Sequence, residues 1–137
     1  MSFSLSTAGE GIFWFATVGA TAASLKHFFS PEASLAELTP AAFPNPSTKQ
    51  LHPASLWWGG YAFAIMNAGF ASIGYHAAWT GSEEAKRGFL LGTAVLFLSF
   101  GASWFKYGPI TGNKAHKKQG LKIFGLGSVF LLGFLIK

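Results

Sequence analysis

Asn67 is a strongly polar side chain in the middle of an apolar stretch, and an amide there is costly unless it meets a partner helix or a cavity. Two roles suit it. It can bind a neighbouring helix through a hydrogen bond of about 0.6–2 kcal/mol, or it can contact the headgroup, ring or carbonyl of a bound molecule. His76, with Tyr75 beside it, stands toward the end of the same stretch. Its imidazole could bond a neighbour, ligate the magnesium or iron of a tetrapyrrole, or act as a base. His27, His52 and His116 are separated by 25 and 64 residues, unlike the close pairs of zinc motifs, so no metal site is expected. Asn67, His76, Tyr75 and His27 are the side chains with which a small enzyme could position a hydrophobic substrate, by orientation more than by strong acids.

Other chemistry is scarce. Without Cys the chain offers no disulfide, thiolate nucleophile or Cys-held cluster. The carboxylates Glu10, Glu32, Glu37, Glu83 and Glu84 all lie outside the apolar stretches, which provides no buried acid pair and argues against a proton pump. No phosphate loop, Gly-x-Ser-x-Gly or His-Glu-x-x-His occurs. No cofactor is expected, with a pigment or haem at His76 as the alternative.

The elements that must carry these residues follow from composition. Only 11% of the 137 residues are charged and half are apolar, including 15 Phe and 5 Trp, too little charge to cover a soluble surface. The expected fold is all-α, an integral membrane four-helix bundle in one domain. Its spans are 11–29, 56–79, 88–105 and 121–136, with the fourth so short that it crosses only if the bilayer thins or Lys122 and Lys137 snorkel. Residues 30–55 hold five of the six prolines and read as an interfacial loop, in which Ser34 and Glu37 have capping-box spacing for a short turn. Residues 80–87 read as a tight hairpin and 106–120 as a basic link. Ala20-Thr21-Ala22 looks like a cleavage site, but no Lys or Arg precedes the apolar run, so the first span is expected to be retained.

Counting basic residues on a four-span model puts Lys86, Arg87 and Lys137 on one side with both termini, and the other seven opposite. The positive-inside rule then places the termini on the non-cytoplasmic side of a multi-pass membrane protein. The same topology divides the histidines, with His76 alone on the termini side, which argues against a haem held by two of them.

Small residues at four-residue spacing read as packing rows: Gly60, Ala64, Ala68 and Ser72 continuing to His76, Ala16 with Ala20 and Ser24, Gly88 with Gly92, Gly125 with Gly133. Trp57, Trp58, Tyr75, Trp79 and Trp104 read as interfacial belts. Lys114, Lys117, Lys118 and Lys122 fall within nine residues and read as a lipid-headgroup site. The expected partners are the bilayer and other membrane helices, in a homo- or hetero-oligomer; nucleic acid is not expected.

A first span closing on Phe29-Ser30-Pro31, a second opening with Gly59-Gly60, the link Lys86-Arg87, then Gly108-Pro109 and a terminal span together resemble the DoxX-like group of small four-helix membrane proteins. What the resemblance implies is topology. The arginines such proteins often carry before the paired glycines and at the end of the third span are replaced here by Ala54-Ser55-Leu56 and Ser103-Trp104-Phe105. The role expected first is a noncatalytic subunit or scaffold of a membrane assembly. A small membrane enzyme and a pigment- or lipid-binding accessory subunit of a bioenergetic complex are the alternatives.

Overall fold

Ser6 starts the first helix, its hydroxyl accepting the Gly9 amide at 3.2 Å, and Glu10 complements the positive end of the helix dipole. In this computed structural model, which describes residues 4–43 and 51–136, that helix is α1 (Thr7–Phe29). Lys49, the proline cluster at 44–48 and Lys137 lie outside the described residues. Pro31 cannot continue the α1 ladder and instead opens α2 (Pro31–Leu38), where its missing amide costs nothing. The expected cap at Ser34 is therefore corrected: Ser34 is buried inside α2, one turn past the start.

α3 (Pro53–Leu56), a π turn (Trp57–Tyr61) and α4 (Ala62–Thr80) keep right-handed helical dihedrals at their junctions and form one rod. Gly81 ends it with φ 64°, a left-handed position that favours glycine, and the Ser82 hydroxyl caps α5 (Glu83–Tyr107) through the Ala85 amide at 3.1 Å. The hairpin is thus two residues long. A 3-10 turn (Gly108–Thr111) leads to α6 (His116–Leu135). Both α5 and α6 begin five residues before the apolar runs expected at 88 and 121, because their charged first turns are as helical as the apolar turns after them.

The described residues form helices and turns, with no strand. α5 with its 3-10 extension and α6 are long and apolar enough to cross a membrane; α1 and α4 do not reach that measure. The four long helices pack chiefly as two pairs, α1 with α4 and α5 with α6. Glycine sets both contacts, and the expected rows take part only in places, at buried Ala16, Gly60, Ala64 and Gly133. A Cβ on Gly74 would fall 2.5 Å from the Thr17 hydroxyl, on Gly101 2.6 Å from the Phe124 backbone nitrogen, and on Gly127 2.7 Å from that of Leu98. Gly88, Gly92 and Gly125 meet nothing within 4 Å.

The reason is helical phase. Four residues advance about 400°, so a row at that spacing drifts about 40° per step off a straight helix face. On α4 the buried side chains are Ala64, Asn67, Ala71, Gly74 and Ala77, whereas Ala68, Ser72 and His76 are exposed. Two hydrogen bonds join α1 to α4: the Ser24 hydroxyl donates to Ala64 O at 2.8 Å, and the Thr21 and Tyr75 hydroxyls share a hydrogen at 3.1 Å. The pairs meet around fully buried Phe13 and Leu90, with Phe13 edge-on to Phe89 at 5.6 Å. Trp104, expected at an interface, is buried, and its Cβ lies where a side chain on Gly120 would crowd it, at 3.0 Å.

Candidate functional site

Toward the middle of α1 the side chains of Ala16, Gly19, Ala20 and Ala23 are too small to fill the space between the helix pairs, and a cavity of about 220 Å³ remains. Its far wall includes Phe97 and Phe130 from α5 and α6, set edge to face at 5.1 Å. Between the pairs Gly133 packs on Ile12 and Gly9, while α4 and α5 touch much less than either touches its partner. Phe15 and Gly19 line the cavity and are also exposed on the outer surface, so it opens sideways at α1.

Asn67 and Thr93 are the polar side chains on this wall, 9% and 5% exposed. The expected bond from Asn67 to a neighbouring helix does not form. Its Nδ2 instead donates to Phe63 O of its own helix at 2.8 Å, a carbonyl always within reach one turn back. Among the described residues none donates to Asn67 Oδ1. The Thr93 hydroxyl likewise donates to Phe89 O at 2.8 Å.

The other candidates are not brought to this cavity. Tyr75 is held by Thr21, with Trp14 tilted against its ring at 6.4 Å. His76 is exposed on the outer face of α4. His27 is buried at the far end of α1, edge-on to Phe63 at 4.6 Å, and among the described residues its Nδ1 has no partner. His52 Nδ1 accepts the Ala54 amide and His116 Nδ1 contacts Asn113 O, so these two serve local turns. Lys114, Lys117, Lys118 and Lys122 are exposed around the start of α6. There their charge adds to the positive end of the helix dipole, and none pairs with an acid among the described residues.

One constellation goes beyond the sequence reading. Lys86, expected as part of a basic link, lies 3.0 Å from both Glu10 oxygens and 3.0 Å from Glu83 Oε1, over the Phe13 ring at 5.8 Å. Its side chain is 11% exposed and the two glutamates 35% each. Glu83 also accepts the Leu5 amide at 2.8 Å. The signal was present: Glu10 opens the first helix and Lys86 the third, and an up-down topology puts those ends together. At the other end, Lys26 pairs with Glu37 at 3.5 Å, and Asn113 Nδ2 donates to Glu37 O and Leu38 O at 3.3 and 3.4 Å.

No family model matches this chain, and neither a curated protein nor a solved structure matches it at a significant level.

Proposed function

We propose that this chain is an integral membrane protein whose four long helices all span the bilayer, and that its role is that of a noncatalytic, helix-packing subunit or scaffold. The observation that carries the reading is the outer surface. Large apolar side chains such as Trp14, Val18, Ile65, Ile73, Val95 and Leu132 are exposed on all four long helices, far more than a water-facing surface accommodates. Charge is confined to the ends: residues 11–25, 53–80, 88–105 and 123–136 contain no Asp, Glu, Lys or Arg. At about 1.5 Å per residue, the uncharged length of α5 is close to the roughly 30 Å of a bilayer core.

Two further observations support it. Only 33% and 28% of the most apolar windows of α5 and α6 are buried, whereas the core helix of a soluble protein is mostly covered. Gly11, Gly19, Gly69, Gly88, Gly92 and Gly125 face open space, and small residues on lipid-facing surfaces are where a further helix can approach closely. The subunit reading draws on this surplus and on the dispersal of the side chains capable of chemistry. In this reading both termini are non-cytoplasmic and the lysines from 114 to 122 face anionic headgroups, each worth about 1 kcal/mol near the surface. The DoxX-like resemblance agrees with this topology.

Alkaline extraction of membranes and affinity purification in mild detergent test the two halves separately. The chain is expected to remain with the membrane and to copurify with a stoichiometric protein partner or with itself. Release by alkali would sink the membrane reading. A lone monomer without partners would sink the subunit reading. Loss of a product on Asn67→Ala or His76→Ala, with abundance and assembly unchanged, would replace it with the catalytic alternative.

A further inference from the structure

The cavity between the helix pairs is apolar except at one place, and that place has a definite hydrogen-bonding character. Asn67 spends one of its two amide hydrogens on Phe63 O, and Thr93 spends its only hydroxyl hydrogen on Phe89 O. What remains for an occupant is the Asn67 carbonyl oxygen, the lone pairs of the Thr93 hydroxyl and a single spare amide hydrogen. Acceptors outnumber donors. Both residues are more than nine-tenths buried, and the capacity they leave unmet faces an otherwise apolar cavity. A pure hydrocarbon would leave it unmet, and an ether or ester could use only the one spare N–H. A hydroxyl group can donate to Asn67 Oδ1 and accept from the amide hydrogen as well.

Size and shape set the rest of the ligand. A cavity of about 220 Å³ exceeds the roughly 150 Å³ that holds a benzene molecule, so it takes a ring or a short length of chain but not a whole lipid. The remainder must leave through the sideways opening past Phe15 and Gly19.

We infer that this cavity is a binding site for a long-chain alcohol, taken up from the side, with its hydroxyl donating to Asn67 Oδ1 and its chain lying against Phe97 and Phe130. The small residues of α1 make the room, and the phenyl rings supply the apolar wall. Asn67 is thus a ligand-binding side chain as well as a helix residue. The inference rests on the membrane reading only for the ligand's route of entry, and the test uses purified protein in detergent, so failure of either can be told from failure of the other.

The test is photolabelling with hexadecanol carrying a chain diazirine, competed by unlabelled hexadecanol or by hexadecyl methyl ether of the same chain length. Labels are expected on cavity residues such as Ala20, Ala23 and Leu126. The alcohol is expected to compete roughly three- to ten-fold better than the ether, the value of one hydrogen bond. Asn67→Leu should abolish that preference while leaving labelling intact, and Thr93→Val should reduce it. Equal competition by alcohol and ether on the wild-type protein overturns the inference whether or not the variants fold. So does labelling spread evenly over exposed residues such as Ile65 and Val95.

Discussion

The Lys86 ammonium lies 3.0 Å from both carboxylate oxygens of Glu10, which ties the start of α1 to the start of α5 across 76 positions of chain. Glu83 completes the arrangement from one turn before Lys86 and also holds the Leu5 amide just ahead of α1. Two carboxylates around one ammonium leave a net negative charge, so removing the lysine sets Glu10 against Glu83. Lys86→Met should destabilise the protein by about 1–3 kcal/mol, less than the roughly 3–5 of a fully buried pair because both glutamates stay partly exposed. Glu10→Gln should cost less, and adding it to Lys86→Met should cost less than the sum. Unfolding in mixed micelles measures the cycle, and strict additivity would show that the contact contributes nothing.

The α5–α6 contact depends on glycines such as Gly101 and Gly127 and is indifferent to Gly88 and Gly92. Gly127→Ala places a Cβ 2.7 Å from the Leu98 backbone nitrogen, and Gly101→Ala places one 2.6 Å from that of Phe124, neither of which can swing aside. Each should cost about 1–3 kcal/mol through overpacking. Gly88→Ala and Gly92→Ala enter open space and should fall within about 0.5 kcal/mol of wild type. A larger change, Gly92→Leu, separates two uses of this residue: thermal stability of the monomer in detergent should hold, while recovery of the copurifying partner falls if that face meets one. An assembly unaffected by Gly92→Leu excludes this part of α5 from the contact.

The α1–α4 pair is joined by one hydroxyl that reaches a backbone carbonyl. Ser24 donates to Ala64 O at 2.8 Å. Ser24→Ala removes the donor and leaves that carbonyl within its own helix ladder, so the expected loss is modest, about 0.6–1.7 kcal/mol. Ser24→Val, which adds bulk where the helices are close, should cost more. If Ser24→Ala is neutral in the same micelle titration, the bond adds nothing beyond packing.

Asn67 was legible from sequence as a polar residue at mid-span, yet its partner was not, because any helical Asn has its own carbonyl one turn back as a competitor to a neighbour. Boundaries were legible only as far as apolar content reaches. Ser82-Glu83-Glu84 and the lysines after His116 are helical but charged or capping, so apolar runs counted from 88 and 121 are shorter than the helices that hold them. That shortfall makes the last helix look marginal in the sequence, although α6 and α5 are the two apolar and long enough to cross a membrane. α1 and α4 carry many Gly, Ala, Ser and Thr, which pack well but add little hydropathy. Asn67 and the small residues Ala16 and Ala20 of its lining stood out in the sequence, but the cavity itself did not, since it is a gap between helices distant in the chain.

Topology can be read with two cysteines, because the chain has none of its own. Glu84 is exposed beside the α4–α5 hairpin, and Ala115 is exposed just ahead of α6, at the opposite end of the long helices. With three basic residues on the hairpin side and seven on the other, the positive-inside rule keeps Ala115 in the cytoplasm. A membrane-impermeant maleimide added to intact cells or spheroplasts should label Glu84→Cys at once and Ala115→Cys only after permeabilisation. The reverse order would keep four spans and invert the orientation, making the lysines from 114 to 122 an outward-facing patch. Equal labelling of both positions before permeabilisation would place the hairpin and the basic link on one side, which four spanning helices do not allow. The two labels report on α5, whereas the shorter uncharged lengths belong to α1 and α6, about 15 and 14 residues. They reach across only if Lys26 and Lys122 extend their ammonium groups to the headgroups.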